Sequence, residues 1–292
     1  MHVPKPTSAG PPSGEPTPVH LTVAYNGTRY RGWQIQPLTK TVQGELQGRL
    51  QRILRCPDLR LAGTSRTDAG VHALDQHASF FEFLPPSFDP QDLRATLNRW
   101  LPPDIRVLRA DRTTPDFHAR HSAKAKAYTY VVNTAPDASP FETGFLWHCT
   151  YPLDIGRMRA AAGLMVGTHE MAVFGVNPRN GSEPETVKTI HAVQIISRPP
   201  YLFFSIIGNS FLYKMVRSMA GYLVMEAGRK ASWTPDHLTG LLTPGAERPP
   251  DLQTAPPQGL FLGRVFFEDN AWSQYTPCLP PYTTNGLGFG GG

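Results

Sequence analysis

Asp68 and Arg66 set one carboxylate and one guanidinium two positions apart in the run Ala62-Gly-Thr-Ser-Arg-Thr-Asp-Ala-Gly-Val-His-Ala73. Gly70 can take backbone angles that other residues avoid, while Ala69 and Ala73 leave room for a polar substrate. Such an acid can add to an electrophilic carbon or remove a proton. It can also do something plainer and cap a turn or a short helix. The run by itself fits both uses. A second cation, Arg217, lies among Met215, Val216 and Met219, where a buried guanidinium needs an acidic partner.

Metal chemistry finds little support in the spacing. His72 and His77 are five apart with Asp75 between them, which suits neither one helix face nor one strand face. Both read as structural or as facing a nucleic acid. Cys56, Cys149 and Cys278 are far apart and form no Cys-x-x-Cys pair, so neither a zinc knuckle nor a disulfide framework is indicated. The glycine-rich end, Gly286 to Gly292, follows no strand and opens no helix, and reads as flexible rather than as a phosphate loop.

These side chains need a frame, and strand and helix signals alternate along the chain. Leu21 to Tyr25 reads as a strand, and Val42, Leu46, Leu50 and Ile53 fall on one helical face with Thr41 as cap. His77 to Phe83 reads as a strand; Leu93, Leu97, Trp100 and Leu101 mark a helix ended by Pro102-Pro103; Ile105 to Ala110 is a strand. The order then repeats. Tyr128 to Val132 is a strand, Ile155 to Met165 a helix, and Ile190 to Ile196 with Leu202 to Ile207 a hairpin. A helix spans Ser210 to Glu226, Thr234-Pro235 opens a short one with Thr as cap, and Leu260 to Phe267 is a last strand. The fold class is α+β: two similar split βαβ-type halves, at 19–118 and 119–270, between an N-terminal arm (1–18) and a C-terminal tail (271–292).

The 292 residues carry a net charge of +5 and a pI near 9.2, compatible with a polyanionic partner. With only 17% of residues charged, the positive potential must be concentrated to matter. His118, Arg120, Lys124 and Lys126 form a basic patch at the junction of the halves, with Arg29, Arg31 and Lys214 as further cations. A solvated surface and a phosphate track both fit them. The first 18 residues lack the apolar core of a signal peptide, and no apolar run is long enough to cross a bilayer. A cytoplasmic location is expected.

From about His20 to Phe267 the chain resembles the pseudouridine synthases that modify tRNA, of the bacterial TruA type. The Asp68 run carries the likeness most strongly. Tyr25-Asn-Gly-Thr-Arg-Tyr-Arg-Gly-Trp-Gln-Ile-Gln36, Asn98-Arg-Trp-Leu-Pro-Pro-Asp-Ile-Arg-Val107 and Phe117-His-Ala-Arg120 follow in family order. So do Tyr128-Thr-Tyr130, Asn209 to Gly221 and Ala255-Pro-Pro-Gln-Gly-Leu-Phe-Leu262. Ser65 departs from the pattern, standing where the family run has glycine.

The resemblance implies one continuous mixed sheet with helices on one face, a central basic cleft, tRNA as substrate and a homodimer. It implies Asp68 as the indispensable carboxylate, Arg217 as its partner, and Tyr128 stacked on the target uracil. Arg66 would fill the gap left by a flipped base or hold a phosphate, and Leu260 and Leu262 would wall the uracil pocket. The reaction it implies involves neither redox nor phosphate transfer, so no cofactor is expected. Two other classes fit parts of the pattern: a silent RNA-binding factor, and a nucleoside hydrolase, which would need a second carboxylate that the sequence does not offer near Asp68.

Overall fold

Val19, Leu21, Val23 and Tyr25 alternate along β1 (Thr17–Tyr25), so all four point to one face of the strand and are buried there. A computed structural model of the chain describes residues 17–82, 84, 87–176 and 185–277. The elements that follow β1 are α1 (Val42–Leu54), β2 (Ala62–Gly63), β3 (His72–Glu82), α2 (Pro90–Trp100) and β4 (Ile105–Arg112). Then come β5 (Ala125–Asn133), β6 (Trp147–His148), α3 (Ile155–Leu164), β7 (Gly167–Glu170), β8 (Val187–Arg198) and β9 (Tyr201–Gly208). The chain closes with α4 (Met215–Tyr222), α5 (Pro235–Leu241) and β10 (Leu260–Phe266).

Among the described residues ten strands make one mixed sheet, in the order β4-β1-β3-β10-β5-β9-β8-β7, with β2 beside β3 and β6 beside β5. The last strand is therefore the central one. β10 runs parallel to β3 through Phe261 and Leu262, and antiparallel to β5 through Leu260↔Tyr130 and Leu262↔Tyr128. It joins strands that precede it by more than a hundred residues.

One apolar cluster takes alternate residues of the strands and the buried faces of α1 to α5, so these helices cover one side of the sheet. α1 contributes Val42, Leu46 and Leu50, the spacing of a single helical stripe. Thr41 caps it by accepting from the Gly44 N–H, as the sequence predicts. Val131, Phe203 and Phe261 point to the opposite side and pack under Leu146.

Several expectations are corrected. Thr17 and Pro18 already pair with Glu82 and Phe81 in β1, so the sheet takes in the last two residues of the expected arm (1–18). The rest of the expected arm (1–16), Phe83, Cys278 and the glycine-rich end lie outside the described residues. Trp100 is 53% exposed and does not belong to the buried stripe of α2. The helix before Arg217 begins at Met215, not Ser210. Lys214 has φ of 61°, which ends any helix entering from that side, and the Tyr213 carbonyl accepts from the Val176 N–H instead. Thr234 makes no side-chain cap bond, although Pro235 does occupy the first turn of α5. The segment after Tyr222 continues as a π-helical turn, Leu223–Gly228.

The link from β1 to α1 fixes the Asp68 loop through close backbone approach. Gly32 has φ of +90°, and a Cβ there would stand 2.4 Å from the Thr67 carbonyl oxygen. Gly32→Ala is expected to cost at least about 1–2 kcal/mol from the backbone angle alone. Urea denaturation of the two proteins checks it, and an unchanged midpoint would count against this packing.

Candidate active site

Asp68 opens a turn whose shape follows from local sequence. The Val71 N–H donates to the Asp68 carbonyl at 3.1 Å, and Gly70 takes φ of +80°, the pattern of a type II turn with glycine at its third position. The preceding residues are held by the 25–33 segment. The Trp33 N–H donates to the Thr67 carbonyl (3.1 Å), the Gly70 N–H to the Tyr30 carbonyl (3.3 Å), and the Tyr25 hydroxyl bonds Thr67 Oγ1 (2.7 Å). The Gly27 N–H donates to His72 Nδ1 at 3.1 Å, where the loop runs into β3. A chain so tied leaves the Asp68 side chain little choice of direction.

The direction it takes is toward α4. Arg217 Nη1 lies 2.8 Å from Asp68 Oδ2, across 149 residues of sequence, and both side chains are only slightly exposed. The same guanidinium donates from Nε to the Ala255 carbonyl at 2.8 Å, and the Ala255 N–H returns a bond to the Arg217 carbonyl. Arg217 is thus the buried guanidinium with an acidic partner that its apolar neighbours called for. Lysine could supply the charge but not both directed bonds.

Tyr128 joins the group from β5. Its hydroxyl lies 2.7 Å from Ser65 Oγ, three residues before Asp68, and its ring meets the edge of Phe211. Burial, aided by the nearby Asp68 charge and opposed by the Ser65 bond, pushes its phenol up to about 12. It is a neutral hydrogen-bonding group near neutrality. Tyr130, one residue pair along the same face, turns its hydroxyl to the Pro256 carbonyl and is the structural one of the two. Asp68, Arg217 and Tyr128 are therefore brought together.

The other expected residues divide. Arg66 is exposed and has no ion pair among the described residues, so it is not the structural partner of Asp68. Leu262 is fully buried and Leu260 nearly so; they sit beside Tyr128 and Tyr130 on the neighbouring strand and back the two rings. As placed here, Leu262 presents no surface that could wall an open pocket. His118 is half-buried and folds back on its own turn, its Nδ1 accepting from the Arg120 and His121 N–H groups. Lys126 shares the face of Tyr128 two residues along β5, and burial lowers its ammonium from the usual lysine range. Arg120 is exposed, Lys124 lies 3.9 Å from Asp269, and Lys214 stands over the Tyr213 ring. His72 and His77 are buried, hence structural rather than facing a ligand; His77 sits between His20 and Asp75.

Arg29 and Arg31 line a groove of about 460 Å³ together with Lys40 and with Ala69 and Gly70 of the Asp68 turn. Lys40 was not visible as a site residue, because only the bond from the Arg31 N–H to its carbonyl folds it back onto the groove. Arg248 was also missed. It donates to the Val173 and Leu252 carbonyls and to Ser218 Oγ and Thr254 Oγ1, bracing the stretch that ends at Ala255. Its only sequence signal is a cation shortly before a motif. Among the described residues no group of three or more metal-ligating side chains converges.

A family model described as tRNA pseudouridine synthase matches residues 161–268. The chain is 37% identical over 251 residues to tRNA pseudouridine synthase A of a Geobacillus species, covering 86% of this chain and 98% of that one. It is 39% identical over 270 residues to the protein of that name from Halalkalibacterium halodurans, covering 90% and 99%. A Geobacillus kaustophilus counterpart is 39% identical over 252 residues, covering 86% and 95%.

Removing one member of the Asp68–Arg217 pair strands the other charge in a partly enclosed site. Arg217→Met is expected to cost about 2–3 kcal/mol, below the 3–5 kcal/mol of a fully buried pair. Adding Asp68→Asn to it should cost less than the two single changes summed. Urea unfolding of the four proteins measures both, and strict additivity would remove the pair from the stability of the loop.

Proposed function

The chain belongs to the tRNA pseudouridine synthase family, and from that premise we propose that Asp68 is the carboxylate on which its chemistry turns. The enzyme isomerises uridine to pseudouridine in tRNA. The bond between ribose C1′ and uracil N1 breaks, the base turns, and C5 bonds to C1′. N1 gains a proton and C5 loses one, so substrate and product are isomers and no oxidant or co-substrate enters the balance.

Within that reaction Asp68 adds to C1′ or takes a proton from the sugar. Arg217 supplies the opposite charge and fixes the carboxylate in direction. Tyr128 offers its ring to the uracil, with Leu260 and Leu262 behind it. Arg66 occupies the space the base leaves, or holds a phosphate. The single observation that carries this reading is the bond from Arg217 to Asp68 at 2.8 Å, on the loop whose Ser65 holds the Tyr128 hydroxyl.

The finer picture rests on family resemblance together with the cations described above. It has two split βαβ halves meeting at a basic cleft, a homodimer in the cytoplasm, and a target uridine in the anticodon stem-loop. Arg29, Arg31 and Lys40 beside the turn, and Arg120, Lys124, Lys126 and Lys214 beyond it, would follow the RNA backbone. His118 would steady the turn that carries Arg120.

Asp68→Asn is expected to lower pseudouridine formation in tRNA by at least about 10²-fold while the protein stays folded. Undiminished turnover in that variant would end the role given to Asp68. Binding of tRNA should weaken as salt rises, and neutralising Arg29, Arg31 and Lys40 together should flatten the log–log slope by about two to three. A slope unchanged by the triple substitution would take the groove out of the RNA path.

A further inference from the structure

Ser65 lies three residues before Asp68, and its side chain makes a contact across 63 residues of sequence. Its Oγ lies 2.7 Å from the Tyr128 hydroxyl. We propose that Ser65 is a positioning residue for the isomerisation: it holds the Tyr128 phenol to the Asp68 loop, so that ring and carboxylate keep one arrangement before the RNA arrives. The proposal rests on the reading above, in which Tyr128 faces the uracil.

Both ends of the contact are anchored independently. Tyr128 is 5% exposed and its backbone is paired on both sides, with Leu262 on β10 and Ile206 on β9. Strand pairing fixes its Cα but leaves the outer end of the ring to be set by what the hydroxyl finds. Ser65 is gripped by Gln76, a fully buried side chain of β3. Gln76 Nε2 donates to the Ser65 carbonyl at 2.7 Å, and the Ser65 N–H donates to Gln76 Oε1 at 3.3 Å. Thr67 is tied in turn to Tyr25 and Trp33. Between these two fixed points Arg66 points outward and exposed, while Asp68 turns in to Arg217.

The chain from Gln76 through the Ser65 backbone and hydroxyl to Tyr128 therefore links the acid's loop to the aromatic strand. It complements the link from Asp68 through Arg217 to Ala255, which ties the same loop to the other side of the site. With glycine at 65, a nearly buried phenol would lose this partner, and the loop would regain backbone freedom at the position before Arg66. The physical consequence is a tyrosine that must be ordered by the substrate instead of meeting it already ordered. That shows in the rate of the bound complex rather than in affinity for the whole tRNA, whose contacts lie mostly elsewhere.

The test compares Ser65→Gly, Ser65→Ala and Ser65→Thr with the unaltered enzyme, using tRNA and single-turnover and steady-state measurements. Loss of the hydroxyl is expected to lower kcat about 3- to 10-fold, the rate equivalent of one neutral hydrogen bond, with KM for tRNA within about twofold. Ser65→Thr, which keeps the hydroxyl, should recover most of that loss. In parallel, the Tyr128 hydroxyl proton, assigned in NMR spectra by its absence in Tyr128→Phe, should shift or vanish in Ser65→Ala and persist in Ser65→Thr. Full kcat in Ser65→Gly and Ser65→Ala would overturn the proposal, as would an equal loss in all three variants. So would a Tyr128 hydroxyl signal indifferent to Ser65→Ala, whatever the activity. Failure of the unaltered enzyme to form pseudouridine in tRNA would instead overturn the reading on which the proposal rests.

Discussion

A single ion pair decides what the rest of this structure has to do. Asp68 and Arg217 are 149 residues apart, and their charged atoms meet at 2.8 Å with little solvent between or around them. In a partly desolvated setting the attraction outweighs the lost hydration only if the geometry is good and the remaining donors are satisfied. Every nearby feature serves that condition. The spare guanidinium nitrogen Nε is bound to the Ala255 carbonyl, and the acid's loop is fixed at Thr67, Gly70 and Val71 by backbone bonds.

The topology makes the meeting possible. β10 is last in sequence and central in the sheet, parallel to β3 on one side and antiparallel to β5 on the other. The Asp68 loop leads into β3, Tyr128 lies on β5, and the stretch that binds Arg217 leads into β10. Three adjacent strands thus position the Asp68 loop, Tyr128 and the Ala255 stretch that holds Arg217 of α4. Close backbone approach then sets the separations. A Cβ at Gly221 would lie 2.0 Å from the Gln253 carbonyl, and one at Gly259 would run into the Tyr130 ring at 2.7 Å. Shifting any of these contacts by one methyl group moves α4 or the Ala255 stretch, and with it the guanidinium.

How much of this can be read without coordinates depends on the range of the interaction. The α1 stripe and its Thr41 cap are local, and their spacing states them outright. The need of Arg217 for an acid is legible from its apolar neighbours, because the cost of a lone buried charge does not depend on the partner's address. The partner's address, however, came from resemblance. The helix start was misplaced at Ser210 because the stop signal is the left-handed backbone at Lys214, and lysine does not advertise that conformation. Trp100 follows the stripe of α2 in period yet lies at the helix end, beyond what the sheet covers. Lys40, Arg248 and the bond from Ser65 to Tyr128 were invisible for one reason: each depends on a loop closure or a contact across more than 60 residues, or on acceptors that are carbonyl groups shared by all sequences.

The two arginines nearest the acid show how burial divides labour between identical side chains. Arg217 is nearly enclosed, with Nη1 committed to Asp68 on one side and Nε to the Ala255 carbonyl on the other. Arg66, two residues from the same acid, is exposed and without an ion pair among the described residues. A guanidinium that already completes a neutral pair has little charge to offer a phosphate; one in solvent keeps all of it, and its planar face as well. The anchoring of Ser65 and Thr67 on either side of Arg66 goes with the split: the Gln76 bonds hold the backbone before it and the Trp33 N–H holds the Thr67 carbonyl after it, so the irregular run 65–68 places Arg66 outward and Asp68 inward. The acid is held by the inner cation, and the outer one keeps its charge in solvent, as the proposed contact with the RNA requires. The same loop geometry produces both results.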